Sequence, residues 1–168
     1  IGKDPAGYWQ AEGAATSLDF TILQYGRYDT TNTAYDVDVV GNLAYVTISG
    51  TGIRIINISD PQSPSLTGSI TAITNVRASA IKGDYIYFGN ASNNALYVYN
   101  ISDPSSPSSE TAVSSVGNIY DIAIYGDYLF VAVLSAGVKV YDISNGASPS
   151  YVNTYSTTAY GVDVIAAN

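Results

Sequence analysis

The phrase Asn57-Ile58-Ser59-Asp60-Pro61 returns 43 residues later as Asn100-Ile101-Ser102-Asp103-Pro104, and 42 residues after that in weakened form as Asp142-Ile143-Ser144-Asn145-Gly146. A second phrase keeps the same step: Gly41-Asn42-Leu43-Ala44-Tyr45-Val46, then Gly83-Asp84-Tyr85-Ile86-Tyr87-Phe88, then Gly126-Asp127-Tyr128-Leu129-Phe130-Val131. Two phrases in fixed phase, at a period in the low forties and filled with short alternating strands, are the signature of propeller blades. A complete ring usually needs at least about four blades. Three clear repeats therefore raise the question of what completes them.

Each repeat reads as four strands separated by turn chemistry. In the first, strands over 35–40 and 43–49 flank the hairpin signal Gly41-Asn42. Gly50-Thr51-Gly52 turns the chain into a strand over 53–57, and a proline-held loop then leads to a fourth strand over 66–70. The second repeat predicts strands over 76–82, 85–89, 96–100 and 110–113, and the third over 120–125, 128–133, 138–142 and 151–155. Runs such as Ile53-Arg54-Ile55-Ile56 and Leu129-Phe130-Val131-Ala132-Val133 are apolar on both faces, as expected of sheets sandwiched between neighbours. The expected fold is all-β: a single propeller domain over 1–168, with blades at 35–75, 76–118 and 119–159.

The phrases Tyr35-Asp36-Val37-Asp38-Val39-Val40-Gly41-Asn42-Leu43-Ala44-Tyr45-Val46 and Ile53-Arg54-Ile55-Ile56-Asn57-Ile58-Ser59-Asp60-Pro61 resemble the LVIVD repeat. That is a β-propeller unit of bacterial and archaeal surface and secreted proteins, and the resemblance runs from about Tyr28 to the end of the sequence. It implies a propeller with an interaction role and supplies no catalytic residue. Such repeats usually carry Asp ahead of the Ile/Val-Ser-Asp-Pro loop. Here Asn57 and Asn100 stand in its place, with the acid kept only at Asp142.

The two ends of the sequence carry complementary parts of one further blade. Tyr160-Gly161-Val162-Asp163-Val164-Ile165 repeats the first-strand pattern of Tyr35-Asp36-Val37-Asp38-Val39-Val40, and Thr21-Ile22-Leu23-Gln24-Tyr25 sits where a fourth strand should precede Tyr35. The expectation is a split fourth blade, made from an N-terminal insertion and outer strand over 1–34 and a first strand over 160–168. Its halves can pair within the chain, or between chains in a head-to-tail contact that gives a closed ring or an open filament. The third expectation is that the chain is a processed protein or a piece of a longer propeller, since it begins at Ile1.

Composition narrows the chemistry. Histidine and cysteine are absent, which removes the usual proton shuttle, thiolate sites and disulfides. Charged residues make up only 12% of the chain and the net charge is −8, unfavourable for nucleic acid or anionic lipid. No apolar run is long enough to predict a membrane span. A neutral Ser/Thr/Asn/Tyr-rich surface suggests an extracellular or cell-surface location, and no cofactor is expected.

Candidate sites are few. Asp36, Asp38, Asp121 and Asp163 fall on the inner-strand phrase, but Ala78, Ala80 and Ala123 interrupt any ring of acids, so backbone-bonding roles are expected instead of a metal site. Three sequons, at Asn57, Asn90 and Asn100, are glycosylation candidates. Tyr45, Tyr87 and Phe130 occupy one repeated position and are expected to pack between blades. The assembly candidates are Tyr8, Trp9, Ile22, Leu23 and Tyr25 at one end and Tyr160, Val162 and Val164 at the other. The function expected is a non-enzymatic structural or adhesion protein that self-assembles by sharing terminal strands, as a head-to-tail homo-oligomer or filament. The alternatives are a self-closed monomeric propeller binding carbohydrate or protein on one face and, third, a hydrolase on the same scaffold.

Overall fold

A computed structural model describes residues 26–89, 94–134 and 136–157, together with the backbone of 2–3, 9–10 and 90. Among these residues there is no helix. A short antiparallel pair joins β1 (Gly2–Lys3) to β2 (Trp9–Gln10). Three four-stranded antiparallel sheets follow, each strand pairing with the next in sequence. Blade I comprises β3 (Ala34–Val40), β4 (Leu43–Ile48), β5 (Gly52–Asn57) and β6 (Ser65–Ile70). Blade II comprises β7 (Val76–Lys82), β8 (Tyr85–Asn90), β9 (Ala95–Asn100) and β10 (Ser108–Val113), and blade III β11 (Ile119–Tyr125), β12 (Tyr128–Val133), β13 (Gly137–Asp142) and β14 (Ser150–Tyr155). Every strand expected from the repeats is present, with ends moved by no more than two residues. The two strands expected of the split fourth blade, over 21–25 and 160–165, lie outside the described residues.

Local chemistry explains why the three sheets look alike. The first hairpin of each blade turns at Gly41, Gly83 or Gly126, with φ of 57°, 56° and 58°. A two-residue hairpin loop asks for a positive φ, which glycine adopts without steric cost. A loop amide then donates back across each blade: Ile58 N to Asn42 O at 2.8 Å, Ile101 N to Asp84 O at 2.7 Å and Ile143 N to Asp127 O at 2.8 Å. The loop is tied a second time by the residue before it, since Asn57, Asn100 and Asp142 each accept through Oδ1 from the amide two residues on. Asn and Asp serve equally as this acceptor, which accounts for their interchange among the repeats.

The blades stack side by side, with β3 next to β7 and β7 next to β11. Tyr45, Ile53 and Ile55 of blade I pack on Val76, Ile86, Phe88 and Tyr99 of blade II. Ala80, Tyr87, Leu96 and Val98 of blade II pack on Ile122, Leu129, Val131 and Tyr141 of blade III. A side chain of this size contributes roughly 1.5–3 kcal/mol when fully buried, so these two seams hold the arc together. Tyr45 and Tyr87 are buried as expected, and Tyr87 also donates through its hydroxyl to Gly146 O at 2.8 Å. Phe130 is only half-buried. It occupies the same register as Tyr45 and Tyr87 on the side of blade III that faces away from blade II.

One seam explains the weakened third phrase. Gly146 replaces the proline of the other repeats, and a side chain there would run into the ring of Tyr85. Tyr85 stands where blade I has Leu43, so a larger ring on one blade is matched by a smaller residue on the next.

Candidate functional site

The three inner strands carry the same irregularity. The ladder skips Tyr35 between Ala34 and Asp36, Arg77 between Val76 and Ala78, and Tyr120 between Ile119 and Asp121. A bulge leaves one residue unpaired and re-aims its side chain. The re-aimed side chains converge, because the Arg77 guanidinium lies 4.5 Å from the Tyr120 ring centroid and 5.4 Å from that of Tyr35. One cation thus bridges aromatic rings of the blades on either side, each contact worth about 0.5–2 kcal/mol depending on solvent access. The repeat sequence holds the clue, since these residues occupy equivalent positions, but side-chain direction at a bulge cannot be read from alternation.

Just beyond the bulges lie the inner-strand acids. Asp36 Oδ2 accepts from the Ser79 amide at 2.8 Å, and Asp38 Oδ2 accepts from the Ser79 hydroxyl at 2.7 Å. Both carboxylates of blade I therefore hold one buried serine of blade II. Burial pushes the Asp38 carboxyl up to about 6; the Ser79 hydrogen bond acts against this, while Asp36 and Asp121 add repulsion. Among the described residues no group of three His, Cys, Asp or Glu is placed to hold a metal ion. Asp36 and Asp38 bond the backbone amide and hydroxyl of Ser79, and Asp163 lies outside the described residues.

A hollow of about 230 Å³ lies between the ends of blades II and III, lined by Lys82, Asp84, Tyr85, Asp127 and Ser144 among others. Its lysine is already engaged, by Gly126 O at 2.7 Å and Asp127 Oδ1 at 2.5 Å. The contact joins two blades and resembles the Arg77 bridge in purpose.

The outer faces of the arc differ from its seams. Val37 and Val39 on blade I are exposed, as are Tyr125, Tyr128 and Tyr155 on blade III. A hollow of about 290 Å³ opens on the blade I side, lined by Ala34, Tyr35, Asp36, Val37 and Val46. Beside this face the backbone at Gly26 lies so close to Pro61 and Gln62 that a side chain there would strike the carbonyl of Pro61. Gly68 of blade I meets Pro104 and Ser105 of blade II in the same way. Relative to blade I, Gly26 therefore occupies the place that the fourth strand of a preceding blade would take.

Of the sequence-based interface candidates, Tyr8, Ile22, Leu23, Tyr25, Tyr160, Val162 and Val164 lie outside the described residues, and Trp9 is described only as backbone within β2. Asn57 and Asn100 are half-buried loop ties at strand ends; Asn90 ends β8, its side chain outside the description. The exposed valines of β3 are a surface that sequence reasoning did not single out. The signal available was Val37 and Val39 at positions where blade II has Ser79 and Ile81.

A family model described as the LVIVD repeat matches the chain three times, over residues 32–72, 75–114 and 116–157. No curated protein matches it. Among solved structures, a functionally unknown protein from Desulfotomaculum acetoxidans aligns with TM-score 0.64 and 17% identity, over 74% of this chain and 42% of that one. Hydrazine synthase from Kuenenia stuttgartiensis aligns with TM-score 0.63 and 18% identity, over 84% and 41%. The computationally designed Ika4 protein aligns with TM-score 0.64 and 12% identity, over 83% of both chains. At these identities the likeness is one of fold alone. The chain spans less than half the length of the first two.

Proposed function

The chain belongs to the LVIVD repeat family, and from that footing we propose that it is a non-enzymatic structural protein of the cell exterior that self-assembles head to tail by sharing terminal strands. The observation that carries this reading is the pair of open end faces, with exposed Val37 and Val39 at one end and exposed Tyr125, Tyr128 and Tyr155 at the other. Apolar sheet faces of this kind mark interaction surfaces. A contact between unlike ends is heterologous, and the rotation per step decides between a closed ring and a helical filament. The low charge and absence of cysteine and histidine support a structural role on an exposed surface, and the engagement of Asp36 and Asp38 with Ser79 supports packing over acid–base work. A glycan coat at the sequons belongs to the same proposal, and intact mass before and after deglycosylation reads it.

The test is size. Light scattering and electron micrographs of the intact protein should give multimers, and deleting residues 160–168 should leave soluble single domains. A strictly monomeric intact chain refutes the proposal. That result would favour the second reading, a self-closed propeller that binds carbohydrate or protein on one face.

A further inference from the structure

We propose that the open face of blade I is an acceptor slot for segment 160–165 of a second copy, which docks there as the first strand of a blade shared between the two chains. This rests on the self-assembly reading above and names its surface and partner.

The argument starts from equivalence. Val76, Ser79 and Phe88 of blade II are 0%, 4% and 0% exposed, and Ile119, Ile122 and Val131 of blade III are 0%, 5% and 0% exposed, each set covered by the blade before it. Their counterparts on blade I are Ala34, Val37 and Val46. Val37 is 57% exposed, and Val39 beside it on the same face is 58% exposed. The register that is sealed twice within the chain is thus open once, and a hollow of about 290 Å³ marks where the missing contact belongs.

Gly26 limits what can fill it. The outermost position beside blade I is already taken by the backbone at Gly26, pressed on Pro61 as Gly68 presses on Pro104. A complete blade with its own fourth strand, such as blade III of another copy, would collide with that segment. Inner strands alone fit the remaining space.

The occupant follows from the repeat. Five residues separate β6 from β7 and five separate β10 from β11, and segment 160–165 starts after a similar interval, four residues past the end of β14. Segment 160–165 also repeats the residue pattern of β3. It has the position in sequence and the composition of a next inner strand. The docking continues the two inter-blade seams already present, using the same strand positions.

The experiment uses two full-length-derived variants. Val39→Arg fills the slot and keeps the donor segment; deletion of 160–168 removes the donor and keeps the slot. Val37→Arg serves as a second slot variant, and circular dichroism with thermal melts checks that all three fold. Each variant alone is expected to be monomeric where the intact chain assembles. Mixing Val39→Arg with the deletion variant should then restore a 1:1 dimer of twice the monomer mass, because one retains the donor and the other the acceptor. A mixture that stays monomeric overturns the slot. Slot variants that assemble like the intact chain also overturn it, and in that case self-assembly itself stands and runs through other surfaces. An intact chain that is monomeric removes both proposals together.

Discussion

Asp38→Asn should make the protein more stable at neutral pH and flatten its pH dependence between about 4 and 7. The Asp38 carboxyl is raised from 3.8 to about 6, chiefly by burial between blades I and II. A group whose folded value lies above its unfolded value gives full stability below the unfolded value, and that stability is lost as pH rises through the folded one. Wild-type stability attributable to Asp38 is therefore complete only below 3.8, falls as pH rises towards about 6, and is gone near pH 7. At about 1.4 kcal/mol per unit the shift corresponds to roughly 3 kcal/mol, and solvent access to the half-buried carboxylate reduces this to about 1–2 kcal/mol. Asparagine keeps an oxygen to accept from the Ser79 hydroxyl and carries no charge. It should raise the melting temperature at pH 7.5 by about 3–6 °C for a chain of this size and leave it nearly unchanged at pH 4.5. Asp103 and Asp142 move the other way, held low by Ser105 and Ser144 respectively, so their contribution is present above 3.8 and falls away only below the window. Thermal melts at both pH values on dilute protein provide the assay. If Asp38→Asn follows the wild-type pH profile, or wild-type stability climbs from pH 4.5 to 7.5, the account of Asp38 is wrong.

Other consequences of the geometry are open to direct measurement. Arg77→Ala should cost about 1–3 kcal/mol by denaturant unfolding, since it releases the rings of both Tyr35 and Tyr120, and an unchanged midpoint would show that the bridge contributes nothing. Gly68→Val should destabilise by several kcal/mol or prevent folding, because its side chain meets the backbone of Pro104 and Ser105, whereas Gly41→Ala should cost only about 1 kcal/mol, its Cβ meeting nothing but its φ being positive. Asn100→Asp should keep the tie to the Ser102 amide and melt like wild type, while Asn100→Ala should lose about 1 kcal/mol.

The blade itself was readable from the chain because its determinants are local. Glycine at Gly41, Gly83 and Gly126, proline after the third strand and apolar runs between them act within a few residues, so a one-dimensional period of 42 or 43 was enough to place the twelve strands of the three blades, though not the short pair β1 and β2. The loop ties at Asn57 and Asn100 were equally legible, as a short polar side chain two residues ahead of a turn amide. Phe130 shows the limit. Sequence equivalence with Tyr45 and Tyr87 put it between blades, yet packing needs a partner sheet as well as a register, and the described chain supplies none beyond blade III.

What the sequence determined by itself is a period, a strand count and a family. What only the tertiary structure decided is which face of each strand meets which neighbour: Asp36 and Asp38 on Ser79, Arg77 between Tyr35 and Tyr120, Gly26 against Pro61, and Val37 and Val39 against nothing among the described residues. These contacts join residues some 40 positions apart through bulged strands, where a single unpaired residue reverses the direction of a side chain. Local patterning carries no information about that reversal. The open face of blade I, on which the proposed assembly rests, therefore becomes visible only once the sheets are stacked.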